Sequence, residues 1–164
     1  PTSSRFSSAR SSREYRFFIA SKFIMLGYFL YAFAIPIQLD TPITVIGLAI
    51  YAAGFVLYSA AWITVAISGG GAVLSNGPFR FSRHPIYLSS AILFVGAGCV
   101  SRSYLFLGLS LLVGFTHMQN AVAEERICLE VYGKEYRNFM AGTPRWLGRP
   151  RPKPKTPKKI QNIQ

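Results

Sequence analysis

Two separated stretches of this sequence carry residue types that could bind a small charged molecule. Residues 74–87 read LSNGPFRFSRHPIY, and residues 124–136 read EERICLEVYGKEY. The first stretch is basic and contains His84, whereas the second opens with the carboxylates of Glu124 and Glu125. The chain between them is mainly apolar, as in a helical hairpin that enters a membrane. Because hydrocarbon does not tolerate unpaired charge, we expect both stretches at one water-facing rim, where they form a binding site.

The anion-binding part of this site is expected at a helix that begins at Pro85. Proline fits the first turn of a helix because it lacks an N–H group and has a fixed φ. The amides of residues 86–88 and the helix dipole then attract a carboxylate or a phosphate. Arg80, Arg83 and His84 strengthen the positive field, although a basic loop of this kind is also typical of a simple membrane flank.

Aromatic side chains near this helix start could hold a flat ring. Residues 76–78, with the sequence Asn-Gly-Pro, predict a turn that folds the chain back toward the helix. Phe79, Phe81 and Tyr87 then offer an apolar surface that suits a purine. Each of these residue types is also common at a membrane interface, so this alternative stays open.

The two adjacent carboxylates cannot serve one point equally. Neighbouring residues on a helix diverge by about 100°. We therefore expect one of Glu124 and Glu125 to contact a ligand and the other to pair with Arg83, Arg126 or Arg137. The alternative is that both are solvated at the start of a cytoplasmic helical extension.

Polar residues in the last turns of the preceding apolar segment are candidates for the substrate side. His117 and Asn120 lie there, and such residues usually face the interior of a bundle or a cavity. With Glu125, they are the candidate catalytic residues. Glu125 or His117 would act as the base for an acceptor that must lose a proton. A packing role for His117 is the alternative.

Four apolar segments are expected to position these residues. They cover residues 17–37, 43–67, 85–100 and 104–122. About 20 helical residues cross a hydrocarbon core of about 30 Å, so the third segment is short. The fourth segment either ends there or runs on to Tyr132 and stops at Gly133, a residue suited to end a helix. The predicted fold is all-α, an integral membrane bundle of about four transmembrane helices with a C-terminal cytosolic helical cap.

The charge distribution predicts an orientation and argues against some functions. The 164-residue chain has a formal net charge of +12, and its Lys and Arg residues flank the apolar segments. Both termini are therefore expected in the cytoplasm. A nucleic-acid partner is not expected, because such a protein would not need long apolar runs. No metal site is expected, because Cys99 and Cys128 have no partner at metal-ligand spacing. Gly96 and Gly98 lie inside an apolar segment and indicate close helix packing rather than a nucleotide loop.

Composition divides the chain into three parts. Residues 1–16 form a basic arm, read as a disordered flank or alternatively as a transit peptide. Residues 17–148 form the membrane domain. Residues 149–164 form a Pro/Lys-rich tail that is too charged to fold and would be attracted to anionic lipid headgroups.

The stretch from Leu74 to Trp146 resembles the isoprenylcysteine carboxyl methyltransferase family and, more loosely, the phospholipid methyltransferases. The matching motifs are L-x-x-G-P-F-R-F-x-R-H-P-x-Y, then E-E-x-x-x-L-x-x-Y-G-x-E-Y, then a C-terminal P-R-W. These families are integral membrane enzymes that use S-adenosylmethionine. The resemblance implies a cofactor pocket at the cytosolic rim, built from residues 71–146 and capped by the C-terminal segment.

The resemblance also implies which residues contact the cofactor. They are Gly71, Ala72, Val73, Leu74, Phe79, His84, Pro85, Ile86, Tyr87, Glu124, Glu125, Tyr136 and Arg137. Two departures matter: Phe79 stands where the family often has Tyr, and no Arg precedes the acidic pair to orient a substrate carboxylate.

The implied function is methyl transfer to a lipidic or prenylated acceptor within the cell membrane of a prokaryote or an endomembrane. Carboxyl O-methylation, as in the isoprenylcysteine enzymes, is the nearest guess. The alternatives are N-methylation of a phospholipid amine, a membrane reductase on a related scaffold, and a non-enzymatic membrane anchor or transporter subunit. The sequence does not predict an oligomeric state.

Overall fold

Five α-helices and one 3-10 turn form the regular structure in the computed structural model, which describes residues 12–35, 41–69 and 73–149. The helices are α1 (Ser12–Ala32), α2 (Pro42–Ile67), α3 (Pro85–Ser101), α4 (Tyr104–Tyr132) and α5 (Lys134–Gly142), and the 3-10 turn is Gly77–Arg80. Within these ranges no strand occurs, so the predicted all-α class is confirmed.

The helix bounds follow the apolar segments closely except at α1. The predicted bounds of α2 and α3 agree with the structure to within one residue. α1 begins at Ser12 and therefore includes residues 12–16, which the charge pattern assigns to a flanking arm. Residues 1–11, the break at 36–40 and the tail from 150 onward lie outside the described residues. α4 runs on to Tyr132, and Gly133 follows with φ of 54°, a conformation that favours glycine.

The exposed surface of α2 is mainly apolar and would suit a helix in lipid. Its buried residues are Thr44, Gly47, Gly54 and Ala61, all small, whereas its large apolar residues, such as Phe55, are exposed. By length and composition, α2 and α4 can each cross a membrane, and α3 is a shorter apolar helix. Membrane helices pack through small residues in this way because lipid, like the core, is apolar.

Glycines set the close approach of α2 and α3. A Cβ at Gly96 would overlap the Tyr51 backbone nitrogen, and one at Gly54 would lie 2.6 Å from the Leu93 nitrogen. Both approaches are far closer than a van der Waals contact, so the two backbones could not meet here with larger residues. The packing interpretation of Gly96 is thereby confirmed.

α1 packs against α4 rather than α2. The ring of Tyr28 stacks on Phe106 with centroids 4.4 Å apart, and Asn120 Nδ2 donates to Ser21 Oγ at 3.3 Å. Contacts between α1 and α2 are slight at most among the described residues. α1 therefore packs against α4, and a space remains between α1 and α2.

We predict that Gly96→Ala lowers the free energy of unfolding by about 1–3 kcal/mol, the usual cost of overpacking. Gly108→Ala is the matched control, because a Cβ at Gly108 of α4 meets nothing within 4 Å. Thermal unfolding of the detergent-solubilised variants, followed by circular dichroism, measures the difference. Equal stability of the two variants would contradict the packing argument.

Candidate binding and catalytic site

The C-terminal segment after α5 lies on the loop that leads into α3. The Arg83 amide donates to the Pro144 carbonyl at 2.9 Å, and the Gly148 amide donates to the Phe81 carbonyl at 3.1 Å. The ring of Trp146 lies 6.0 Å from that of His84. Residues 143–148, called the C-terminal strap below, therefore cover the loop at 81–84.

Glu125 lies at the centre of this arrangement. Its side chain is 5% exposed. The guanidinium of Arg145 binds it in a bidentate manner, with Nη2 2.7 Å from Oε2 and Nε 3.1 Å from Oε1. Arg83 Nη1 lies 2.9 Å from Oε1, and His84 Nε2 lies 3.2 Å from the same oxygen. One buried carboxylate thus joins α4, the loop and the strap, and a buried charge of this kind needs such partners.

His84 lies between the two carboxylates. Burial lowers the pKa of its imidazole, and the nearby Glu124 and Glu125 act in the opposite direction. With the pKa below its ordinary value, the ring is neutral at pH 7. A carboxylate only accepts hydrogen bonds, so the ring hydrogen lies on Nε2, toward Glu125.

Glu124 and Glu125 have different surroundings, as the helical geometry predicts. The Glu124 side chain is 40% exposed, and its Oε2 lies 3.9 Å from His84 Nδ1. Glu125 pairs with Arg83, which is one of the three partners expected for the carboxylate that does not contact a ligand. Arg126 pairs instead with Glu14 of α1 at 2.6 Å.

A cavity of about 660 Å³ adjoins these groups and continues between α1 and α2. Its polar end is lined by Lys22, Arg83, His84, His117, Asn120 and Glu124. Its apolar end is lined by Met25, Phe29, Tyr51, Phe55 and Leu93. The volume is in the range of pockets that bind cofactor-sized molecules. A single space thus joins a charged rim to an apolar interior.

Arg83 lines this cavity and also has polar atoms without a hydrogen-bond partner within the described ranges. Its Nε and Nη1 are buried and make no hydrogen bond to any residue that the structure describes. Nη1 is close to Glu125 Oε1, but the N–H direction is unsuitable for a hydrogen bond, so the contact is only an ion pair. Buried donors of this kind are costly unless a ligand or water satisfies them.

The structure brings most of the predicted site residues to the cavity wall. Those lining it are Phe79, His84, Pro85, Ile86, Tyr87, His117, Asn120 and Glu124. Val73 and Leu74 are half-buried and lie elsewhere, and Gly71 and Ala72 fall outside the described residues.

Three further predicted contact residues are not on the cavity wall. Glu125 is enclosed by its cations, which leaves little of the carboxylate for a ligand. Tyr136 is buried, where its hydroxyl contacts Cys128 and burial raises its pKa. Arg137 is exposed on α5.

Sequence reasoning missed two contributions to the site. Lys22 lies on the cavity wall, and a lysine within an apolar helix was the available signal. Arg145 is the main partner of Glu125, and hydrogen bonding to that carboxylate raises the pKa of its guanidinium. Its position in the P-R-W motif marked it as part of a cap, but nothing in the spacing pointed to Glu125.

The fold and the cavity define a helical membrane protein in which a charged rim meets an apolar interior. A model of the phospholipid methyltransferase family matches residues 43–135, more than half of the chain. The chain therefore belongs to the phospholipid methyltransferase family, and it is a membrane methyltransferase that acts on lipid. The match covers α2, the loop, α3 and α4, but neither α1 nor the strap. A comparison with curated proteins finds no match.

We predict that Glu125→Gln lowers the free energy of unfolding by about 1–3 kcal/mol, since it weakens charged hydrogen bonds that are partly screened at the 42%-exposed Arg145. It should also accelerate proteolytic cleavage in the strap. Chemical denaturation and limited proteolysis of solubilised protein measure both effects.

Glu124→Gln is the matched control for this experiment, because its carboxylate makes no ion pair shorter than 3.9 Å in the part of the chain described. Its stability should stay within about 0.5 kcal/mol of the parent. If Glu125→Gln were equally harmless, the carboxylate would not hold the strap.

Proposed function

We propose that the protein transfers a methyl group from S-adenosylmethionine to the polar head of a membrane lipid. The observation that carries this proposal is that the start of α3 and the Glu124 carboxylate line one cavity. A basic and an acidic group at one rim suit the carboxylate and the ammonium of a zwitterionic nucleoside.

The residues present fit S-adenosylmethionine. No side chain caps the start of α3, so the Ile86 amide is available to the carboxylate of the methionine part. Arg83 lines the same cavity and supplies positive charge there. Glu124 would accept hydrogen bonds from the ammonium or the ribose hydroxyls. Phe79 and Tyr87 would flank the adenine. When bound, this cofactor supplies a methyl group already activated by its sulfonium.

The chain's own task is then chiefly to position two reactants and exclude water. The C-terminal strap covers the loop and holds Arg83 and His84 through Glu125. These residues are therefore fixed before a ligand arrives. Glu125 would act by holding the loop and the strap in place rather than by touching the cofactor.

The lipid acceptor would enter from the bilayer between α1 and α2. Both helices line the cavity, and their exposed faces carry large apolar residues, such as Phe29 and Phe55. An acyl or prenyl chain can follow this apolar end while its head reaches Lys22 and His117. The cofactor would enter from the charged rim.

The membrane topology is part of the proposal. From the basic flanks we infer that the rim and both termini are in the cytosol. α2 and α4 cross the bilayer, and α1 lies in the bilayer beside α4. α3 has 17 residues, about 25 Å at 1.5 Å per residue, so its hairpin with α4 begins within the headgroup region.

Two headgroup chemistries are compatible with the cavity. Lys22 would attract an anion, which is either the carboxylate to be methylated or the phosphate beside an amine. Carboxyl O-methylation of a prenylated acceptor stays a candidate because a carboxylate acceptor needs no base.

We predict that purified protein binds S-adenosylmethionine and that Glu124→Gln weakens this binding about tenfold, the effect of one charge-assisted hydrogen bond. Equilibrium dialysis with labelled cofactor measures the affinity. Glu135→Gln is the matched control, because this exposed carboxylate on α5 is not on the cavity wall. Absence of binding by the parent protein, or equal losses in both variants, would refute the proposed pocket.

We also predict that incubation in native lipid with cofactor labelled on the methyl group transfers the label to an extractable lipid. Mass spectrometry of the labelled species then identifies the acceptor head. Label that stays in the aqueous phase in spite of cofactor binding would exclude a lipid acceptor.

A further inference from the structure

His117 is a half-buried titratable group that the proposed cofactor contacts do not use. It lies seven residues before Glu124 on α4, about 10 Å along the helix axis. This depth corresponds to the boundary between headgroups and acyl chains. A group here would meet the head of a lipid rather than its tail.

The imidazole separates two cavities. His117 and Tyr87 line the 660 Å³ cavity described above, and both also line a second, mainly apolar cavity of about 340 Å³ between the outer faces of α3 and α4. The rings of His117 and Tyr87 lie 5.3 Å apart, and Phe94 lies 6.0 Å from His117 on another side. The imidazole is thus held by aromatic rings at a point that cofactor and lipid can both approach.

Ser90 of α3 sets the orientation of this ring. Its Oγ lies 2.9 Å from His117 Nδ1 and also donates to the Tyr87 carbonyl at 3.0 Å. A hydroxyl has one hydrogen. When that hydrogen is given to Tyr87, the serine oxygen accepts from Nδ1–H, and Nε2 carries a lone pair.

The surroundings of Nε2 favour this tautomer. His117 Nε2 makes no hydrogen bond to a residue in the described part of the chain. It is not enclosed by protein atoms, so it is open to a cavity. A lone pair without a donor is less costly than an N–H group without an acceptor.

We infer that His117 Nε2 is the base that removes a proton from a lipid amine, with Ser90 as the positioning residue that fixes its tautomer. This inference rests on the proposed function and narrows its acceptor to an amine. The ammonium proton moves to Nε2, and the freed nitrogen lone pair forms the bond to the methyl carbon. The electrons of the methyl–sulfur bond stay on sulfur, and the proton on Nε2 passes to water at the polar end of the cavity.

The first test reads the tautomer directly and needs no activity. The chain has two histidines, so a nitrogen-15 spectrum of histidine-labelled protein in detergent has few signals, and His117→Gln assigns them. We expect opposite tautomers, with the hydrogen on Nδ1 in His117 and on Nε2 in His84. Ser90→Ala should abolish the Nδ1–H preference of His117, whereas Ser89→Ala should not. Ser89 is the matched control because its hydroxyl donates to the Pro85 carbonyl in the same helix. A hydrogen on Nε2 of His117 in the parent protein would overturn the inference.

The second test uses vesicles of phosphatidylethanolamine as the amine probe and a farnesylcysteine derivative as the carboxylate probe. The parent protein should methylate the amine probe. His117→Gln should reduce kcat on this probe by about 100-fold or more, the usual contribution of a positioned base, while the affinity for S-adenosylmethionine changes little. Ser90→Ala should cost about tenfold, the effect of one hydrogen bond, and Ser89→Ala should have no effect.

Two outcomes separate this inference from the proposed function. If the parent protein fails to bind S-adenosylmethionine, the proposed function itself fails. If it binds the cofactor but methylates only the carboxylate probe or neither probe, or if His117→Gln retains its kcat on the amine probe, the inference about His117 is overturned while the cofactor pocket stands.

Discussion

The burial of one carboxylate constrains the whole rim of this molecule. Glu125 belongs to a helix that is otherwise apolar enough to cross a membrane, so its charge must be neutralised by partners from elsewhere in the chain. Those partners are Arg83 and His84 from the loop and Arg145 from the strap. Two of these partners are neighbours in the loop before α3, and the third comes from a segment about sixty residues further along the chain. Satisfying this one charge therefore closes the loop and the strap over the cavity.

The glycines of α2 and α3 act at the other end of the same cavity. They bring the two helices so close that side chains cannot fill the interface, and the bulky residues of α2 point outward instead. α1 does not compensate, because its buried Tyr28 packs on Phe106 of α4. The space between α1 and α2 is thus a consequence of where the small residues lie. A ligand-sized cavity results from packing preferences that act far from the charged rim.

Local patterns in the sequence predicted the helices and the meeting of the two polar stretches. Apolar runs and prolines marked α2 and α3, and Gly133 marked the end of α4. The exclusion of charge from hydrocarbon was enough to place His84 near Glu124. Helical geometry predicted that Glu124 and Glu125 have different surroundings. It did not predict which of the two is enclosed, because that depends on which residue faces Arg145. The position of α1 was also beyond prediction, since its contacts with α4 join residues about a hundred positions apart in the chain.

The two histidines show how the same residue type acquires different chemistry from its partners. His84 faces a carboxylate that can only accept, so its ring must donate from Nε2, and it serves as a fixed element of the rim. His117 faces a serine hydroxyl that can both donate and accept, so its tautomer depends on where that single hydrogen goes. A group whose hydrogen position is set by a neighbouring hydroxyl, and whose other nitrogen is open to a cavity, can exchange a proton without disturbing the fold. A group bound to the central carboxylate cannot. The capacity for proton transfer thus belongs to His117, which takes no part in the ion pairs around Glu125.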